Sequence, residues 1–102
     1  MPDLFAARAE QVQRTLLEME READPEDLFA LGYMIPQIGL VLEMADYDAA
    51  DVTGEDFDHT YREWLEIAFG QDGMDDHDRQ RIDELWNDAR DRADAASRTQ
   101  AQ

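Results

Sequence analysis

Residues 28–45 read LFALGYMIPQIGLVLEMA, and how this stretch folds decides the architecture. Its one charge is Glu43, in a chain with 26 acidic residues against 9 basic ones and a net charge of −17. So long an uncharged run in so acidic a protein has to be kept from water by the rest of the chain, which makes it the hub of the core. As a helix it puts Ile35, Ile38, Leu42 and Ala45 on one apolar stripe, with Met34, Val41, Leu40 and Met44 on further faces. A single neighbouring helix could not cover all of these. Two breakers lie inside the run: Gly32 weakens a helix, and Pro36 disfavours a helical Ile35. The expected form is a short piece from 25 to 31, a bend over 32–35 and a longer helix from 36 to 45. A continuous helix kinked near Pro36 is the alternative.

Working outward, Phe5, Ala9, Val12, Leu16 and Met19 recur at alternating fours and threes, which predicts an amphipathic helix over 4–22 with Asp3 as its cap. Asp24 followed by Pro25 is a start signal for the central element, since the aspartate can accept from free amides and proline has no amide to leave unpaired. Residues 46–55, DYDAADVTGE, read as a loop. A third helix opens at Thr53 or Gly54, keeps Phe57, Tyr61, Trp64, Leu65 and Ala68 at helical spacing, and is expected to end at Gly70. Asp72 and Gly73 form a turn, Asp75 caps a fourth helix with Asp78 as its capping-box partner, and Ile82, Leu85, Trp86, Ala89 and Ala93 make the buried stripe. The expectation is one helical domain over 1–93 and a disordered tail over 94–102, where no apolar anchor remains.

The composition excludes several classes. With no cysteine there is no disulfide and no thiolate metal or redox chemistry. All nine basic residues are arginine, and residues 24–58 carry ten acids and no base, which argues against a phosphate-binding nucleic-acid protein. The first ten residues mix acids and bases without an apolar core, so no secretory signal is expected. The run over 28–42 is shorter than the roughly 20 residues a bilayer needs and holds Gly32, Pro36, Gln37 and Gly39, so no membrane span is expected. These readings point to a cytoplasmic protein. Its acidity fits adaptation to salt, in which carboxylates keep the chain soluble while ions screen their repulsion.

Chemistry-bearing residues are few. The acids over 46–55 miss the calcium-loop pattern, because the fifth and sixth positions counted from Asp46 are Ala50 and Asp51. A di-iron bundle needs two Glu-x-x-His pairs, whereas this chain offers only Asp56-x-x-His59, with His77 among Asp75, Asp76 and Asp78. Thr15, Thr53, Thr60, Ser97 and Thr99 sit in no motif that would activate a hydroxyl. No catalytic residue, metal ligand or cofactor site is assigned, and the expectation is a protein that is not an enzyme. The residues that could serve a partner are Tyr33 and Met34 at the expected bend, Val41 and Met44 on the surplus apolar faces, and Trp64 if one edge of its ring stays exposed. Trp86 is read as core.

Leu28, Phe29, Gly32 and Tyr33 spell LFxxGY just after an acidic cap, Leu65, Glu66, Ala68 and Gly70 end the third helix, and Asp78 is followed at a distance by Leu85 and Trp86. In this order and spacing, over residues 24–88, the chain resembles the YfcL family of small bacterial proteins. The resemblance implies a helical domain without an assigned biochemical activity and transfers no catalytic residue. The combined reading is an all-α irregular bundle of four principal helices, the second split or kinked near Pro36, serving as a protein–protein interaction module for an unidentified protein partner or as a homodimer. Two alternatives stand beside it: an acidic nucleic-acid mimic or regulator of a basic partner, and a metal-dependent enzyme.

Overall fold

The computed structural model describes residues 3–100, with the side chains of 97–100 left aside. Four helices follow one another: α1 (Leu4–Glu22), α2 (Pro25–Met44), α3 (Gly54–Asp72) and α4 (Asp76–Gln100). The first starts where its cap signal lies, with the Asp3 carboxylate accepting from the Ala6 amide at 2.9 Å. All five seam residues of α1, Phe5, Ala9, Val12, Leu16 and Met19, are buried.

The second helix is continuous, so the expected split at Pro36 does not occur. Proline at 36 cannot donate to the carbonyl of Gly32 one turn earlier, and its ring crowds that same carbonyl. Here residue 32 is a glycine on the exposed side, with nothing beyond its own stretch of helix within 4 Å of where a Cβ would stand. Water can take the freed carbonyl, and the chain keeps its helix through the proline. At the start of α2 the Asp24 side chain makes no capping bond; its backbone carbonyl instead accepts from Asp27 and Leu28.

Other boundaries shift for local reasons. The third helix passes Gly70, ends at Asp72 and is closed by Gly73, whose φ of 62° is the left-handed value that glycine adopts without strain. Its start is a full capping box, in which Thr53 accepts from the Asp56 amide and Asp56 accepts from the Thr53 amide. Asp75 accepts from the Asp78 amide at the head of α4. That helix runs to Gln100, so residues 94–100 of the expected tail are helical, and 101–102 lie outside the described residues. The start of the tail has a polar anchor that apolar periodicity could not show: Arg8 pairs with Asp94 at 3.0 Å, next to Ala93, whose carbonyl accepts from Gln11 at 3.0 Å.

In the bundle, α1 and α2 pack on each other, and α3 and α4 each pack against both. Tyr61 on α3 meets Trp86 on α4 edge-on at 5.0 Å and closes the core between them. The loop from 45 to 53 is held down too. Tyr47 stacks on Phe5 at 4.2 Å and donates to Asp3 at 2.7 Å. The Cα extents are 40 × 31 × 16 Å, a slab two helix layers thick at the usual spacing of roughly 8–10 Å between axes. In such a slab no helix is surrounded on all sides.

Candidate functional site

The central helix divides its side chains differently from the stripe expected of it. Its buried face is Ala30, Leu31, Met34, Ile38 and Val41, while Ile35, Leu42 and Ala45 are only partly covered. Both registers recur at threes and fours, and a segment apolar all round does not reveal which face its neighbours will take. Met34 and Val41, expected on a partner surface, are 0% exposed, covered within the single chain by the helices around α2. They are core residues, and the interaction surface expected at those two positions is corrected accordingly.

Opposite them, α2 presents Leu28, Phe29, Leu40 and Met44 to solvent, with Phe29 60% and Met44 66% exposed. Gly32, Pro36 and Gly39 lie exposed among them and leave the helix backbone open to close approach. Ile67 on α3 is 63% exposed as well. Of the expected surface residues Met44 therefore belongs here, and sequence reasoning missed Leu28, Phe29, Leu40 and Ile67. Their signal lay in the sequence, since five buried residues at core spacing leave the remaining apolar positions of a helix uncharged from 28 to 42 on the outside.

Tyr33 and Trp64 are the polar-tipped aromatics where α2 and α3 meet. The Tyr33 hydroxyl donates to Asp72 at 2.7 Å, and its ring lies 6.1 Å from Phe69. Partial burial, then the adjacent Asp72 carboxylate, pushes the phenol up to about 12. The Trp64 indole N–H donates to the Gln37 side chain at 2.7 Å. Both rings are half-buried, and both hydrogen bonds tie α2 to α3. Their tips are satisfied, which makes them supports for the apolar face.

The outer side of α2 has no cation of its own, and Asp27 in its first turn is already engaged. Arg81 on α4 grips Asp27 through two bonds of 2.7 Å, Nε to Oδ1 and Nη2 to Oδ2, which holds the Asp27 carboxyl below its ordinary value. Continuous at 20 residues, α2 is long and apolar enough to cross a bilayer, so the length argument from sequence no longer applies. Its inner face, Ala30, Leu31, Met34, Ile38 and Val41, is buried against the other helices.

The residues weighed for catalysis or metal binding do not converge. Asp56 is spent in the capping box, and exposed His59 pairs with Glu63 one turn on at 3.1 Å. Among the described residues no group of three or more histidine or acidic side chains is placed to hold a metal ion. No family model matches the chain, nor does any curated protein or solved structure, and the resemblance to the YfcL family rests on the LFxxGY motif and its companions in α3 and α4. Within that motif Leu28, Phe29 and Gly32 are exposed on the outer face of α2, and Tyr33 supports it.

Proposed function

We propose that this protein is a non-enzymatic interaction module that docks a cationic amphipathic helix of another protein on the outer face of α2. The observation that supports this most directly is Phe29 and Met44, 60% and 66% exposed, on a helix without charge from 28 to 42 in a chain of net charge −17. Elsewhere carboxylates dominate the surface, so leaving this strip apolar and edging it with glycine and proline suits a helix laid into it. Charge selects the occupant. Residues 24–58 carry ten acids and no base, so a second copy would set this acidic segment against another, whereas lysines or arginines flanking an apolar stripe would meet opposite charge. Kinship with the YfcL family is part of the same proposal.

The test titrates the full chain with a designed leucine–lysine amphipathic helix and with a leucine–glutamate counterpart, at low and at raised salt. The expected result is saturable one-to-one binding of the cationic peptide that survives in part at raised salt and is lost in Phe29→Ser and Leu40→Ser. Both substitutions fall on exposed positions, and circular dichroism of each variant checks that the helices are retained. Equal binding to wild type and to both variants would mean general charge attraction and would overturn the proposal. Self-association abolished by the same substitutions would assign the face to a second copy instead, and partition into neutral vesicles would assign it to a lipid surface.

A further inference from the structure

On the other side of the molecule, α1, α3 and α4 bound an open groove of about 1430 Å³. Four of the nine arginines of this acidic chain, Arg8, Arg14, Arg62 and Arg90, line it. Two are spent on structure. Arg8 pairs with Asp58 at 2.9 Å and with Asp94 at 3.0 Å, and Arg62 pairs with Asp83 and with Glu66. Among the described residues Arg14 and Arg90 make no ion pair, although the chain offers 26 carboxylates.

Arg90 is held in place without its charge being met. Its guanidinium carbon lies 5.7 Å from the centre of the buried Trp86 ring, and Nη2 donates to the Asn87 side chain at 2.9 Å. Its Nε–H is shielded from solvent and meets no acceptor among the described residues. A buried donor left unpaired is costly, more so when it is charged, so an acceptor brought to this position gains what the free chain forgoes. Guanidinium presents a planar fork suited to carboxylate and phosphate oxygens, and a fixed, partly desolvated fork loses little freedom on binding one. Distant acids oppose an incoming anion weakly, because their fields decay over about 8 Å at physiological ionic strength. Of the five acids that line the groove, Asp58, Asp94 and Asp83 are paired with Arg8 and Arg62, while Glu55 and Asp91 carry no ion pair among the described residues and are the charges that Arg14 and Arg90 must outweigh.

We infer that the groove between α1, α3 and α4 is a binding site for an oxyanion, carboxylate or phosphate, that is gripped by Arg90 against Trp86 and by Arg14. This site is independent of the α2 face and shares neither its residues nor its partner.

The test adds inorganic phosphate, or acetate, to the full chain against sodium chloride at matched ionic strength. Two signals are read, the Arg90 Nε–H resonance and Trp86 fluorescence in a Trp64→Phe background. The expected result is a saturable shift of both with an oxyanion, weakened about tenfold in Arg90→Gln and in Arg14→Gln, the loss of one charge-assisted bond. Arg21→Gln, an exposed arginine outside the groove, is expected to leave the response unchanged. A response to phosphate alone assigns a phosphoryl ligand, to acetate alone a carboxylate, and to both an oxyanion of either kind. Responses equal to chloride, or an unchanged response in Arg14→Gln, an exposed side chain with no ion pair among the described residues, would overturn the site.

Discussion

The Tyr61 hydroxyl donates a 2.6 Å hydrogen bond to the backbone carbonyl of Met34 inside the core, with both residues 0% exposed. Met34 lies two residues before Pro36, in the turn where α2 lacks an amide donor. The same ring stacks on Phe57 at 5.5 Å and meets Trp86 at 5.0 Å, so one phenol joins the proline turn of α2 to α3 and α4. Removing the oxygen while keeping the ring isolates the bond. Tyr61→Phe is expected to lower stability by about 0.5–1.5 kcal/mol, since the carbonyl still sits in a helix and only the bond to the hydroxyl is lost. Urea denaturation with an unchanged m-value is the measurement, and a larger loss with a smaller m-value would mean that α2 comes apart at Pro36.

All three tyrosines are held above the ordinary phenol range. Burial does this for Tyr61, burial and then Asp72 for Tyr33, and the hydrogen bond to Asp3 for Tyr47. For Tyr33 the folded value of about 12 exceeds the unfolded value of 10.0, so the folded chain holds this proton more tightly. The resulting stability is complete below pH 10 and is lost as pH rises toward 12. An alkaline absorbance titration should therefore show little tyrosinate at pH 10 in the folded protein. Asp72→Asn is expected to move one tyrosine downward and leave the others in place.

The two tryptophans differ in what they support. Trp86 is 2% exposed, and its deletion to alanine should cost roughly 3–5 kcal/mol, the usual range for a buried large aromatic. Trp64 is half-buried and bonded to Gln37, so Trp64→Phe should cost little, mainly its indole hydrogen bond. Thermal melts of the two variants, compared at one salt concentration, test the contrast.

Much of this fold was readable from residue spacing, because α1 and α4 are amphipathic and declare one buried stripe each. Phe5 through Met19 and Ile82 through Ala93 are buried as their periodicity requires. The central helix was legible as the hub and illegible in register, since Ile38 belongs to both candidate stripes and exposed Glu43, near the end of the helix, is the one charge of the run that marks the outer side. Pro36 misled for a related reason: its effect depends on whether the carbonyl one turn back can reach water, and that is a tertiary property. Long-range polar contacts left no sequence signal at all. Nothing in the spacing of Gln11 and Ala93, or of Tyr33 and Asp72, joins residues so far apart.

With a charge of −17 on 102 residues, self-repulsion opposes compaction, and the ion pairs are too few to offset it. Raising monovalent salt from low to molar concentration should lift the melting temperature, because screening relieves many repulsions and weakens only a handful of pairs. A flat or falling curve would show that the surface carboxylates are spaced widely enough not to strain the fold.

Gly32 and Gly39 connect stability to the proposed docking face. Each sits in helical backbone on the exposed side of α2, with nothing beyond its own stretch of helix within 4 Å of where a Cβ would stand. Alanine at either site should therefore stabilise the free chain by about 0.5–1 kcal/mol, from helix propensity and the smaller freedom of the unfolded state. The same methyl groups stand where an incoming helix would approach the backbone most closely. Gly32→Ala and Gly39→Ala are thus expected to raise the melting temperature while weakening capture of the leucine–lysine helix, two readouts that move in opposite directions. Stabilisation with unchanged peptide affinity would place the partner away from the glycine strip, on the Phe29 and Met44 ends of the face.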